Sequence, residues 1–502
     1  MTQHEIRKVV IAGGGTAGWM AAAVLACTFG DKLSITVVES SAIGIVGVGE
    51  ATIPQIRLLN RYLGLDENDF LRHCQGTFKL GIQFNGWTRD GESYLHAFGD
   101  IGLAQGLIPF HHYWLRAWRQ QLSHDLWSYS LNTAAAMAHR FERLERIDGT
   151  PLTGINYAFH FDASLYADYL RFYSQRLGVE HIDSKIETAP VDSESGFIQC
   201  LQLADGRKVE GDLFIDCTGF RGLLIEQTLN SGYDDWSHWL PCDRAVASAC
   251  RRADPLLPYT QASAREAGWQ WRIPLQHRTG NGYVYCSQHL DDDQATDLLL
   301  QRLDGKPLGE PRQLRFVTGR RREFWRHNCI ALGLASGFLE PLESTSIHLI
   351  QSGISRLINL FPDRHCDPRL QQEYNRHTAT EYAAIRDFLI LHYVANQRQE
   401  HPFWRDCAAL ALPNSLQHKI ELFKTSGSIH REGDELFTEG SWLQVMWGQG
   451  IRPQRQHPAA CAMAQTQLTE LLSGIRRAIK RSVNRMPSHA DFIARNCRTP
   501  TH

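Results

Sequence analysis

A short apolar run, Val9-Val10-Ile11-Ala12, breaks off at Gly13-Gly14-Gly15-Thr16-Ala17-Gly18 and gives way to an alanine-rich stretch over residues 19–29. A strand, a glycine turn and a helix in that order leave few folds open. Glycine at Gly13 permits a tight turn, at Gly15 it lets a pyrophosphate approach the backbone, and at Gly18 it lets the helix pack closely on the strand. The phosphates then sit at a helix start, over Thr16 and Ala17, where free N–H groups and the helix dipole favour negative charge. Residues 33–38 supply a second strand, and Glu39 follows about 20 residues past the glycines, where this fold places an acid on the adenosine ribose. The pattern predicts a Rossmann-type dinucleotide site in an α/β chain and does not separate FAD from NAD.

Residues 212–219 (DLFIDCTG) form a second apolar run ending in a glycine turn. FAD enzymes use such a strand to touch the nucleotide again late in the chain, and an ordinary core strand with a turn reads the same way. With 43% hydrophobic residues in 502, the chain can bury a large core without disulfides or a structural metal. We expect two intertwined modules. A net charge of -2, from 52 basic and 54 acidic residues, supplies no field for nucleic acid or an anionic membrane and points to a small-molecule partner. The 12 cysteines include no CxxC pair, which argues for reduced thiols and against zinc, so no metal is expected. The start of the chain lacks a secretory signal, and no apolar run approaches the ~18 residues of a membrane helix, so a cytoplasmic location is expected.

Four further segments point to one family. Trp269-Gln270-Trp271-Arg272-Ile273-Pro274 reads WxWxIP, and Gly47-Val48-Gly49-Glu50-Ala51-Thr52-Ile53-Pro54 reads GVGEATIP. Phe159-His160-Phe161-Asp162-Ala163 and the stretch through Phe338-Leu339-Glu340-Pro341-Leu342-Glu343-Ser344-Thr345-Ser346 complete the set. In these motifs the chain resembles the flavin-dependent halogenases of the tryptophan halogenase family, through roughly its first 360 residues. The resemblance implies an FAD-binding Rossmann-type module of the flavin monooxygenase superfamily within residues 1–365. Substrate-binding segments, about 60–150 and 240–310, are interleaved with it, and a mainly helical region, 366–502, completes the substrate module. It also implies that GVGEATIP straps the flavin, with cofactor contacts at Gly49, Ala51, Ile186, Leu334 and Ile347 beside those of the glycine turn.

Lys79 lies in Phe78-Lys79-Leu80-Gly81-Ile82-Gln83-Phe84-Asn85, whose alternation predicts one strand with Lys79 on its polar face. That face looks into water or lines an internal passage; the resemblance makes Lys79 the essential lysine. Glu343 stands ahead of a helix with Ile347, Ile350, Ile354 and Leu357 at helical spacing, and Ser344 or Thr345 is its expected N-cap. Glutamate there either complements the helix dipole or, as the resemblance implies, is catalytic. Amides at Thr345 and Ser346 suit a halide, although Ser346 replaces the glycine of the usual PLESTG, which puts the local backbone angle in question. Trp269, Trp271, Ile273 and Pro274 are expected to wall the flavin from the organic substrate; a plain core strand has the same periodicity. His96 and Phe98 resemble residues that pack on an indole, where a core histidine is an equal reading.

The implied chemistry starts from FADH2, dioxygen and a chloride or bromide ion: a flavin hydroperoxide is attacked by the halide, giving hypohalous acid. Lys79 then hydrogen-bonds this oxidant or becomes a haloamine, aided by partial desolvation of the amine, and Glu343 polarises the oxidant or takes the ring proton. One full GxGxxG implies that electrons arrive on reduced flavin from a separate, diffusing NADH-dependent flavin reductase. Residues 441–447 (SWLQVMW) lack the tyrosine that tryptophan-specific members use on the amino-acid head. The expected substrate is therefore indole or a derivative without that head. A homodimer is compatible with this reading. The rival readings are a flavin-dependent aromatic hydroxylase or epoxidase and a non-catalytic flavin-binding subunit.

Residues 367–396 and 463–485 read as helices, the second with a solvated basic face, and residues 449–457 as a surface loop.

Overall fold

The computed structural model describes residues 4–43 and 49–500, so Gly47 and Val48 lie outside the described residues. The chain forms two compact units, each assembled from three separate segments. The first takes Met1–Gly76, Phe161–Asp243 and Arg315–Ala383; the second takes Thr77–His160, Arg244–Leu314 and Ala384–His502.

The first unit is built on a six-stranded sheet. At its centre the strand Lys8–Ala12 runs parallel to Ser34–Glu39 on one side and to Leu213–Asp216 on the other. Strands buried on both faces need continuous apolar sequence, which VVIA and LFID provide. Helix Thr16–Phe29 is buried from Gly18 through Ala26. It is apolar all round, so only an enclosed position suits it. Helix Ala163–Arg176 starts at Asp162, whose carboxylate accepts from the amides of Ser164 and Leu165. One core cluster under this sheet joins Val10, Ala12, Val38, Leu201, Phe214 and Ile225.

The second unit carries a seven-stranded sheet in which Gly268–Pro274 lies between Arg278–Tyr285 and Thr260–Arg265, with Gly81–Asn85 and then Ser93–Ala97 at one edge. The single strand expected over residues 78–85 is two. Thr77–Lys79 pairs with Ala158–His160 in a different sheet, whereas Gly81–Asn85 joins the large one, parallel to Thr260–Arg265. The break falls at Leu80, whose N–H donates to the Pro258 carbonyl at 2.7 Å. Alternation tells which side chains share a face and is silent on which neighbour a strand pairs with.

Helices Pro368–Val394 and Gln465–Arg485 occupy the segments read as helical. The second buries Leu468, Leu472, Ile475, Ala478, Ile479 and Val483 on one stripe. Residues 451–457 run as a loop without helix or strand. All twelve cysteines are free, and all but Cys27, Cys217 and Cys461 are buried. Among the described residues no helix is long and apolar enough to cross a membrane, and no group of His, Cys, Asp or Glu could hold a metal ion.

Candidate functional site

In the first unit the two glycine turns meet. Parallel pairing of Ala12 with Asp216 brings Cys217 beside Gly13, which has φ +105°, and a Cβ there would stand 2.3 Å from the Cys217 carbonyl oxygen. A Cβ on Gly18 would stand 1.9 Å from the Gly13 carbonyl oxygen, while one on Gly15 would meet nothing within 4 Å. Gly18 therefore serves helix packing, and Gly15 leaves its outer face open. Asp216, fully buried, accepts from the amides of Thr218, Leu224 and Ile225 and so holds the second turn. Gly14 is a constraint that sequence reading missed, because the Glu39 carboxylate packs on it and a Cβ would stand 2.0 Å from Oε2. Glu39 lies 2.9 Å from His181 Nε2, and burial raises its carboxyl above the ordinary value against the pull of His181 and Arg171.

Helix Thr16–Phe29 opens with no side-chain cap and no acid in its first turn, an arrangement suited to a bound phosphate. Ala17 meets Gly333, next to Leu334, and Ile186 packs on the core that holds Ala12 and Val38. On the segment expected to strap the flavin, Gly49 and Ala51 are buried, and burial pushes the carboxyl of Glu50 between them up to about 7.

Glu343 ends a short 3-10 turn, Pro341–Glu343, and is 1% exposed. Ser344 follows with φ +60°, left-handed backbone that a non-glycine residue holds at a cost of about 1 kcal/mol. Helix Ser346–Asn359 then begins, burying Ile347, Ile350, Ile354 and Leu357. Thr345 is the N-cap but its side chain makes no cap hydrogen bond, and Ser344 is not the cap. Ser346 is already helical, so the missing glycine leaves no left-handed strain at that position; the strained residue is Ser344. The Thr345 hydroxyl is buried with no hydrogen-bond partner among the described residues. An orphaned donor at an open helix start fits a small anion.

In the second unit Lys79 is fully buried, which excludes the reading in which it faces water. Its ammonium nitrogen lies 5.3 Å from the centroid of the Phe98 ring. Two imidazoles hold the residues just before it. Thr77 Oγ1 donates to the Pro274 carbonyl at 2.7 Å, so its one hydrogen is committed and it accepts from His160 Nδ1 at 2.9 Å. His160 Nε2 then accepts from the Thr260 hydroxyl at 2.9 Å. His489, on the C-terminal helix His489–Asn496, donates from Nδ1 to the Leu256 carbonyl and accepts the Phe78 N–H at Nε2. The lysine strand is thus tied to Pro274, the end of the WxWxIP segment.

Both imidazoles are neutral in the fold. Burial pushes His489 down to about 4, and it takes His160 well below its ordinary value, helped by the nearby Lys79 charge. The unfolded chain takes up these protons first, so stability falls as pH drops from 7 to 5. His489 alone contributes about 2 kcal/mol to that fall. The expected result is that His489→Gln shrinks the loss of urea-denaturation stability between those pH values by this amount; an unchanged loss would mean the imidazole is charged in the folded protein.

Trp269, Trp271 and Ile273 are buried on strand Gly268–Pro274, and the Trp271 indole lies across Gly282, where a Cβ would stand 2.0 Å from the ring. His96 is buried with its ring centroid 5.6 Å from Phe388 and 6.3 Å from Phe437, and those two phenyl rings stack at 3.8 Å. Sequence reading missed Phe388, Phe437, His489 and the part His160 plays. A lone histidine amid the apolar residues of Phe159-His160-Phe161 was the available signal for the last.

The sequence matches the tryptophan halogenase family over residues 8–465. The tryptophan 6-halogenase SttH of Streptomyces toxytricini is 34% identical over 522 residues, spanning 98% of this chain and 99% of the relative. Among solved structures, the flavin-dependent halogenase Xcc4156 from Xanthomonas campestris has 49% identity and a TM-score of 0.96, covering 99% of this chain and 100% of that one. BrvH, a flavin-dependent halogenase from Brevundimonas sp. BAL3, has 46% identity and a TM-score of 0.94, covering 98% and 99%. Such enzymes act on an aromatic substrate and depend on a separate flavin reductase. On these matches the chain belongs to the tryptophan halogenase family and is a flavin-dependent halogenase, an oxidoreductase that uses FADH2, a halide and dioxygen.

Proposed function

We propose that this halogenase delivers hypohalous acid through Lys79 to an electron-rich aromatic, indole or an indole derivative without the amino-acid head. The observation that carries the reading is the complete burial of Lys79 with its ammonium against Phe98. A fully buried lysine is a functional candidate. Bound FADH2, with dioxygen and chloride or bromide, supplies the hypohalous acid. Gly13, Gly15, Thr16, Ala17, Gly18 and Glu39 hold its nucleotide, and Gly49, Ala51, Ile186, Leu334 and Ile347 hold the rest. Thr345 and Ser346 hold the halide, and the WxWxIP residues exclude the arene from the flavin. In domain terms, the first unit binds the cofactor and the second binds the arene.

Lys79 either donates a hydrogen bond to the oxidant or forms an N–halogen bond as the O–halogen bond breaks and water leaves. The ring carbon then takes the halogen, the bonding pair returns to oxygen or nitrogen, and Glu343 takes the ring proton and passes it on, so that water or the neutral amine is left. A diffusing NADH-dependent reductase resupplies FADH2, and the reaction proceeds in the cytoplasm.

The substrate assignment is supported by what surrounds His96. Residues 441–447 lie within helix Glu439–Gly448, and the nearby aromatic groups are Phe388, Phe437 and Trp442. The charges near these rings are engaged with one another: Lys419 meets Glu435 at 2.7 Å, its ammonium 5.3 Å from the Trp442 ring centroid, and Arg386 meets Asp387 at 2.7 Å. An amino-acid head brought here would have to compete with these pairs for a counter-charge, and an unpaired buried charge is costly. Competition between indole and tryptophan, with added flavin reductase and bromide, is expected to favour indole in kcat/KM by at least roughly ten-fold. A preference for tryptophan would overturn the substrate assignment and leave the halogenase intact.

A further inference from the structure

We propose that Gln444 is a positioning residue for arene binding, setting the place of His96 and Phe98 through the one residue between them. This rests on the reading that those two rings contact the arene.

The strand Ser93–Ala97 is the outermost of its sheet. The Phe98 N–H points inward and donates to the Leu80 carbonyl at 2.9 Å. Backbone groups alternate along a strand, so those of Ala97 point outward from the sheet edge. Ala97 is 2% exposed, and water does not meet them. Gln444 does. Its Oε1 accepts the Ala97 N–H at 3.0 Å and its Nε2 donates to the Ala97 carbonyl at 3.0 Å. The second amide hydrogen goes to the Gly440 carbonyl of its own helix at 3.2 Å, which fixes the carboxamide orientation. One side chain thus supplies the rung that a further strand would have supplied.

The helix bearing Gln444 is set against the strand at a second point, where a Cβ on Gly448 would stand 2.5 Å from the Tyr94 ring and the Gly448 carbonyl accepts from Thr88 Oγ1. The rung therefore has a defined register, and it falls on the residue that places the His96 ring and the ring of Phe98 beneath the Lys79 ammonium. Among ordinary side chains of this length, only glutamine offers one donor and one acceptor in this geometry at neutral pH.

The test uses the full chain with flavin reductase, NADH, bromide and indole, comparing Gln444→Leu, Gln444→Glu and His96→Ala with the parent. Gln444→Leu is expected to raise KM for indole roughly ten-fold and to broaden the ratio of ring-position isomers, with FAD affinity unchanged. Gln444→Glu is expected to show the same broadening at neutral pH, because its carboxylate repels the Ala97 carbonyl. As pH falls, protonation restores a donor, and the isomer ratio returns toward that of the parent at the same pH. If Gln444→Leu binds FAD yet keeps the parental KM and isomer ratio, the proposal is overturned. Should Gln444→Leu not fold, a Gln444→Glu isomer ratio equal to the parent's at every pH overturns it. His96→Ala separates the two levels: unchanged KM and ratio there sink the arene-contact reading itself, whereas a shift there with parental Gln444 variants sinks this inference alone.

Discussion

Lys79→Ala is expected to lower halogenation of indole by about 10³-fold, within the range for loss of one positioned group, while FAD binds and reduced flavin is still consumed. The reason lies in the separation of tasks. The residues proposed to hold the cofactor all belong to the first unit, whereas Lys79 is a residue of the second. Removing its amine leaves oxidant production intact and takes away the carrier, so hypohalous acid escapes. A hypohalous acid scavenger in solution should become halogenated in place of indole. Lys79→Arg divides the two roles left open for the amine: arginine keeps hydrogen-bond donors but does not become a neutral nucleophile. Recovery of turnover in that variant favours hydrogen bonding, and its absence favours a haloamine. Regioselective bromination by Lys79→Ala at the parental rate would refute the assignment.

Gly18→Ala and Gly15→Ala are expected to differ in kind. At Gly18 the added carbon would stand 1.9 Å from a backbone oxygen that cannot swing aside, so the helix must move off its strand. Overpacking of this sort costs about 1–3 kcal/mol, and displacement of the helix start should weaken FAD binding by more than about 10²-fold. At Gly15, in extended backbone with φ -74°, the carbon meets nothing. Gly15→Ala should therefore melt at the parental temperature without FAD and still bind FAD poorly, since the methyl group occupies the approach of the pyrophosphate. Thermal melts of the cofactor-free variants with FAD titrations decide the matter; equal losses of stability in both would contradict the packing argument.

Much of this was legible in the chain itself, because the relevant signals are local. The order of apolar run, glycines and alanine-rich helix specified the cofactor turn, and the spacing of Ile347, Ile350, Ile354 and Leu357 specified the helix behind Glu343. Alternation over residues 78–85 was read correctly as extended backbone and wrongly as one strand, since the switch at Leu80 depends on Pro258. Ser346 looked anomalous against a glycine pattern, yet the left-handed residue is Ser344.

What the sequence by itself determined is the set of local conformations, the family and its chemistry: glycine where a backbone must turn or be approached, helical and extended periods, and motif residues. What only tertiary structure decided is which of these groups meet. Gln444 reaches Ala97 across 347 residues and His489 reaches Phe78 across 411. No periodicity records such pairings. They exist because buried backbone donors and acceptors must be satisfied by whatever the folded chain brings to them.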